Sequence, residues 1–295
     1  MTAKNEKTIS LVLGSGGARG LAHIGVIHWL EENDFKIKSI SGCSIGALIG
    51  GIYAAGKLDE FESWIRTVTK VDIAKLLDLS WKRSGLVKGD KIIDTLTELV
   101  GDVVIEDLPM AYTAMATDLI NEKEVWINSG KLFDAIRASI SLPLFFTPFK
   151  YNDIYLIDGG VLNPVPIAPT LSDATDLTIA VNLVGKADNI EKVTIDKEPE
   201  DEDKSTFTEK IGEFVDSFKG LPVTQAGTQW GAYDIGNQAF DLMQSTIAIQ
   251  KLAVYPADHT IHISRNACGI LEFDCAAEMI ELGYKKAQEM LGGIA

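Results

Sequence analysis

The chain has 295 residues, of which 46% are apolar and 23% charged, values that exclude a disordered or fibrous protein. A net charge of −15 argues against nucleic acid, which needs a basic face, and against simple electrostatic docking on anionic lipid. Cys43, Cys268 and Cys275 are sparse and lack metal-ligand spacing, so a reducing compartment is expected, with no disulfide framework and no metal site.

The first residues, Met1 to Lys7, are polar and charged, and no secretory signal is expected there. Thr8 to Leu13 is a β-rich apolar run that stops at glycines, the pattern of a buried strand. Leu21, Ile24, Ile27 and Leu30 then recur at helical spacing. Lys36 to Ser41 reads as the second strand and Ile45 to Ala55 as the second helix. Ser39 to Gly56 carries no charge and has the length of a membrane span, but glycines split it into strand, turn and helix, so a soluble reading is preferred. Two strands, each passing through a glycine turn into a helix, indicate a parallel α/β sheet.

Phe61 to Val100 reads as mainly helical, broken at Gly85 and Gly89. Met110 to Thr117 and Lys123 to Ile127 are predicted strands, Leu132 to Ile140 a helix, and Ile154 to Ile157 a strand reaching Asp158. Leu177 to Leu183 is a further apolar strand. Between Asp188 and Lys204 eight acidic residues face three basic ones, the composition of a solvated insertion. Phe207, Ile211, Phe214 and Phe218 follow on one helical face, suited to core packing or to a lid or lipid-facing helix. The chain closes with a helix at Gln238 to Ala253, a strand at Thr260 to Ser264 and a helix at Asp274 to Leu291.

Three patterns carry chemistry. Gly14-Ser15-Gly16-Gly17-Ala18-Arg19-Gly20, between a strand and a helix, can turn backbone N–H groups towards an anion. That anion could be a dinucleotide pyrophosphate or the oxyanion of acyl transfer. The dinucleotide fingerprint wants glycine where Arg19 stands, and the next strand ends Ile40-Ser41-Gly42 without a ribose-binding acid. Gly42-Cys43-Ser44-Ile45-Gly46 is a G-x-S-x-G turn that can present a serine nucleophile, the blander reading being a serine cap on the Ile45 helix. Cys43 is expected to be an apolar spacer pointing away.

A serine nucleophile needs a base. His23 and His28 lie five residues apart and do not share a helix face well. His259 and His262 flank a late strand and would complete a Ser-Asp-His order of the α/β-hydrolase kind. Asp158-Gly159-Gly160 offers another base: a carboxylate ending a buried strand, followed by Asn163-Pro164-Val165-Pro166 in place of a returning strand. An aspartate base would lose activity only in acid, without a histidine-like ionisation near 6.5.

These three blocks, in this order, resemble the patatin-like phospholipases, and Ala114 to Asp118 and Ile136 to Pro143 look like that family's connecting segments. The resemblance covers about Thr8 to Leu183 and, more loosely, the C-terminal strand and helix, and is nearest to the small bacterial single-domain branch. It implies a three-layer α/β/α fold with a central, mostly parallel sheet. The chain is read as one domain over residues 1–295, and its acidic insertion and cap-like helix at about 186–225 match nothing in the family's pattern. The resemblance implies a serine lipid acyl hydrolase with Ser44 as nucleophile and Asp158 as base. It carries Gly16, Gly17 and Ala18 over as oxyanion donors, with Arg19 supporting their loop. No cofactor or metal is expected, and the substrate would be a phospholipid or other fatty-acyl ester. Phe214 and Phe218 are candidates for acyl-chain contact. A cytoplasmic location with transient contact at the inner membrane face would suit this activity. Two other readings stay open: the Ser-Asp-His esterase and a non-catalytic lipid- or nucleotide-binding module.

Overall fold

The structure is a computed structural model that describes residues 7–76, 87–186 and 232–295. The acidic stretch Asp188 to Lys204, the aromatic face that includes Phe214 and Phe218, and Gly85 lie outside the described residues, and the expected cap-like segment lies outside them too.

The strands come from the alternating or continuous apolar runs. They are β1 (Lys7–Leu13), β2 (Phe35–Cys43), β3 (Ala111–Asp118), β4 (Lys123–Ile127), β5 (Phe149–Tyr151), β6 (Ile154–Asp158), β7 (Leu177–Gly185) and β8 (His259–Ser264). All eight join one sheet with the hydrogen-bonded order β5-β6-β3-β2-β1-β7-β8, and β4 pairs with β3. The β3–β2–β1–β7–β8 stretch is parallel, while β4, β5 and β6 run antiparallel to their neighbours.

The helices are α1 (Ala22–Glu32), α2 (Ile45–Ala54), α3 (Leu58–Ile65), α4 (Lys70–Leu76), α5 (Asp90–Val100), α6 (Leu132–Ser139), α7 (Ala232–Val254) and α8 (Ala276–Leu291). Side chains alternate across β1 as the period of two requires. Ile9, Leu11 and Leu13 enter the large core with α1, α2, α6 and α8, whereas Val12 enters a second, smaller core with Ala180, Val184 and Ala248 of α7. Helices thus cover both faces of the sheet, the expected three layers. Among the described residues no helix is long and apolar enough to cross a membrane.

Two elements depart from the sequence reading. Among the described residues, the stretch Phe61 to Val100 holds parts of three helices, with a break between Ile65 and Lys70 that the sequence did not mark and the expected one at Gly89. β5 has no counterpart in that reading, because three residues after Pro148 give no periodicity; it forms a hairpin with β6 through Asn152 (φ 44°) and Asp153 (φ 66°), the left-handed pair that a two-residue turn demands.

The sheet itself brings two distant residues together. β4 pairs with Ala114 to Asp118 of β3, so it occupies one edge of that strand. The other edge is shared in sequence: β2 pairs with it up to Cys43–Met115, and β6 begins at Asp158–Ala116. β2 and β6 run in opposite directions, so their C-terminal ends meet head to head at adjacent residues of β3. Ser44 leaves one end and Asp158 stands at the other.

Candidate active site

Ser44 adopts φ 54° and ψ −121°, a left-handed position that non-glycine residues rarely take and that persists only where surroundings over-determine it. The surroundings do so here. A Cβ at Gly42 would lie 2.5 Å from Gly46 O, and one at Gly46 would lie 2.0 Å from Leu13 O. Only glycine on both sides lets β2 turn this sharply into α2 against the end of β1. Ser44 stands at the N-cap of α2, yet its side chain makes no capping hydrogen bond, so the hydroxyl is available at the positive end of the helix.

Asp158 is completely buried. Its Oδ1 accepts the Gly160 N–H at 2.7 Å and faces the Cys43 thiol at 3.9 Å, while Oδ2 is buried without a hydrogen-bond partner. Burial pushes the carboxyl up to about 6, opposed by contacts with Ser44, the Gly160 amide and Cys43. Ser44 is therefore a polar neighbour of the carboxylate, though the pair falls short of a closed hydrogen bond. Such contacts commonly tighten only when substrate is present. Two expectations change. Cys43 points towards Asp158 and not away from it, and burial with the nearby Asp158 and Glu124 charges raises its pKa, keeping it a thiol. An aspartate at about 6 also titrates close to a histidine, so an ionisation near 6.5 no longer separates the two kinds of base.

The glycine loop lies at the same end of the sheet, between β1 and a 3-10 turn at Gly17–Leu21. Gly17 has φ 59°. Among the described residues no acceptor takes the Gly16 or Gly17 N–H. The Ala18 N–H, in contrast, donates to Ile270 O at 2.8 Å, so Ala18 is not a free oxyanion donor in this structure. No local pattern announces this contact, because the acceptor is 252 residues away in the chain. Arg19 is 1% exposed; its Nε donates to Gly16 O at 2.9 Å, Nη1 to Arg265 O at 2.5 Å and Nη2 to Asp241 at 3.2 Å. It ties the loop to the end of β8 and to α7. Ser15 is fixed from the same side, through its N–H to Pro164 O at 2.8 Å and its Oγ to Gln244 at 3.3 Å.

A cavity of about 140 Å³ opens from Ser44 and Gly17. Its remaining walls are apolar: Ile45 and Leu48 of α2, Phe61 and Trp64 of α3, Ile73 and Leu76 of α4, Ile92 and Leu96 of α5, then Ile140, Leu142, Phe145 and Phe146, and Ile270, Leu271 and Phe273. Ser44 provides the one hydroxyl among these described residues. The sequence pointed to a different aromatic helix for acyl contact; these walls come from stretches far apart in the chain and no local pattern announces them.

The histidines fall elsewhere. β8, which carries His259 and His262, is separated from β2 by β1 and β7, and His262 Nδ1 accepts from Asn182 Nδ2 at 3.3 Å. A Ser-Asp-His triad through either residue is therefore contradicted. His23 Nε2 lies 3.0 Å from Gly14 O and is held neutral, its pKa lowered to about 4 by burial. Among the described residues no cluster of metal-ligating side chains occurs.

Comparison with known proteins gives a consistent picture. The family model for patatin-like phospholipases matches residues 11–171. Uncharacterized NTE family proteins of Mycobacterium tuberculosis and Mycobacterium bovis are 36% identical over 333 residues, covering 96% of this chain and 91% of each relative. The lysophospholipase NTE1 of Saccharomyces cerevisiae is 31% identical over 191 residues, 62% of this chain but 11% of that protein. The crystal structure of VipD from Legionella pneumophila aligns with a TM-score of 0.51 at 15% identity, over 99% of this chain and 67% of that one, a likeness of fold alone.

Proposed function

The chain belongs to the patatin-like phospholipase family, and from that footing we propose that it is a serine lipid acyl hydrolase working through a Ser44–Asp158 dyad. The observation that carries this reading is the placement of an uncapped, strained serine between a partnerless buried carboxylate oxygen and an apolar cavity. Asp158 Oδ2 takes the Ser44 proton as the serine oxygen attacks the ester carbonyl. The Gly16 and Gly17 amides stabilise the oxyanion, and each such donor is worth about 2.7–4 kcal/mol of barrier. Collapse of the tetrahedral intermediate breaks the ester C–O bond, and Asp158 returns the proton to the departing alcohol. Water, deprotonated by Asp158, then attacks the acyl-serine; the Ser44 Oγ–acyl bond breaks, Asp158 returns the proton to Ser44, and the fatty acid is released. A carboxyl near 6 suits this shuttle, because it is ionised at neutral pH yet close enough to protonate transiently.

The apolar walls favour a fatty-acyl chain, and the whole chain is read as one catalytic domain acting on a phospholipid or lysophospholipid at a membrane surface. The reading is tested with p-nitrophenyl esters from acetyl to palmitoyl and with lysophosphatidylcholine. Wild-type protein is expected to favour the longer chains in kcat/KM, and Ser44→Ala to lose at least about 10³-fold on all of them. Equal turnover by wild type and Ser44→Ala, or a preference for acetate, would remove this assignment.

A further inference from the structure

We infer that Ser139, the last residue of α6, is a positioning residue that locks the nucleophile to the strand carrying the base; this role rests on the Ser44–Asp158 reading. Ser139 is completely buried. Its Oγ accepts the Ser44 N–H at 2.8 Å and donates to Met115 O at 2.6 Å.

The location explains why a hydroxyl is needed. Cys43–Met115 is the last ladder pair between β2 and β3. At Ser44 the chain swings into its left-handed turn, so the next amide of β2 leaves the ladder and would be buried without an acceptor. The α2 helix cannot help, because an N-cap amide has no partner within its own helix. Ser139 Oγ stands between that amide and Met115 O, and so extends the ladder by one side-chain oxygen. Met115 in turn precedes Ala116, the partner of Asp158, and a Cβ on Gly159 would lie 2.3 Å from Met115 O. One hydroxyl thus connects the backbone of the nucleophile to the β3 carbonyl against which the Asp158-Gly159 peptide packs.

The same turn of chain also holds the base. Asp158 N–H donates to Ser141 O at 2.9 Å, and Arg137 Nη1 donates to Ser141 Oγ at 2.6 Å. Arg137 is gripped between Phe146 and Phe149, with its guanidinium carbon 5.4 and 5.6 Å from their ring centres. The segment Arg137 to Ser141 is therefore a bracket with one contact on each member of the dyad. Ser139 touches neither substrate nor the reacting atoms. Its effect is expected in the chemical step, because a dyad without a closed hydrogen bond depends on the backbone to set its separation.

The test compares wild type, Ser139→Ala, Ser139→Thr and the near-isosteric Ser139→Cys, with active sites titrated by a fluorophosphonate so that rates are per competent site. Ser139→Ala is expected to lower kcat about 10- to 100-fold with KM within about threefold. The acid midpoint of the pH profile should stay where it is, since Asp158 keeps its surroundings, and Ser139→Thr should recover at least about fivefold. If Ser139→Ala does not fold, Ser139→Cys carries the same comparison, with a smaller loss expected from its weaker hydrogen bonding. A per-site kcat within twofold of wild type in the folded variant would overturn the role, as would a loss confined to the number of titratable sites. An inactive, unlabelled wild type would instead overturn the Ser44–Asp158 reading and this role with it.

Discussion

The turns after β1 and β2 share one grammar, a strand passing through glycines into a helix, and they lie side by side at one end of the sheet. They use glycine for different reasons. In the Gly14 to Gly20 loop a glycine itself holds the left-handed position, Gly17 at φ 59°, and the result is a pair of backbone N–H groups without acceptors among the described residues. In the Gly42 to Gly46 elbow the left-handed position belongs to Ser44, and the glycines beside it exist because a Cβ would strike backbone. The first turn presents amides; the second presents a side chain under strain. Counting glycines does not separate them, but asking what each absent Cβ would meet does.

The comparison breaks most readily at the elbow. In Gly46→Ala the new methyl meets Leu13 O at 2.0 Å and Gly14 O at 2.8 Å, and neither backbone group can swing aside. Urea unfolding should show a loss of roughly 3 kcal/mol or more. Gly17→Ala should lose less, about 1–2 kcal/mol, because its left-handed strain is modest and the Ile270 segment it meets is a connection outside the sheet. A larger loss at Gly17 than at Gly46 would reverse the account of the two turns.

Asp158→Asn separates function from stability. Turnover should fall at least about 10³-fold. The folded-state carboxyl titrates near 6, above its ordinary value of 3.8, so between these pH values the folded protein binds more protons than the unfolded chain. Wild-type stability should therefore decline as pH rises from about 4 to 6, and the asparagine variant should escape that decline. Relative to wild type the variant should gain roughly 1–3 kcal/mol between pH 4 and pH 7, read by chemical denaturation at both. A gain in the opposite direction would mean that the carboxylate is stabilised when charged.

How much of this was legible in the sequence depends on how local the signal is. The strands β1, β2 and β7, the elbow and the Asp158 strand end are each written in a few adjacent residues, and they appear where the pattern puts them. Ser139 lies in the Ile136 to Pro143 segment that the resemblance already marked, but a serine at a helix end shows no role until its Ser44 and Met115 partners are known. The apolar cavity, the capture of the Ala18 amide by Ile270 and the upward shift of Asp158 all depend on residues brought together from remote parts of the chain.

Smaller effects sharpen the picture of the glycine loop. Arg19→Met removes the donors to Gly16 O, Arg265 O and Asp241, and should lower kcat about 10- to 100-fold. Arg19→Lys should recover only part of this, because an ammonium cannot reproduce three directions of a planar fork. Full recovery by lysine would reduce Arg19 to a source of charge. Least affected should be His262→Ala, whose strand is separated from the elbow by β1 and β7; turnover within about twofold of wild type is expected, and a loss of several thousandfold would restore a histidine base.

The most direct measurement is the rate at which a fluorophosphonate modifies the protein across pH 4 to 9, with the adduct located by peptide mass spectrometry. A single adduct on Ser44 is expected, forming at a rate that climbs through about pH 6 and levels above it, absent in Ser44→Ala and slowed at least a thousandfold in Asp158→Asn. An adduct on another residue, or labelling of Ser44 that ignores the loss of Asp158, would contradict the pairing of these two side chains.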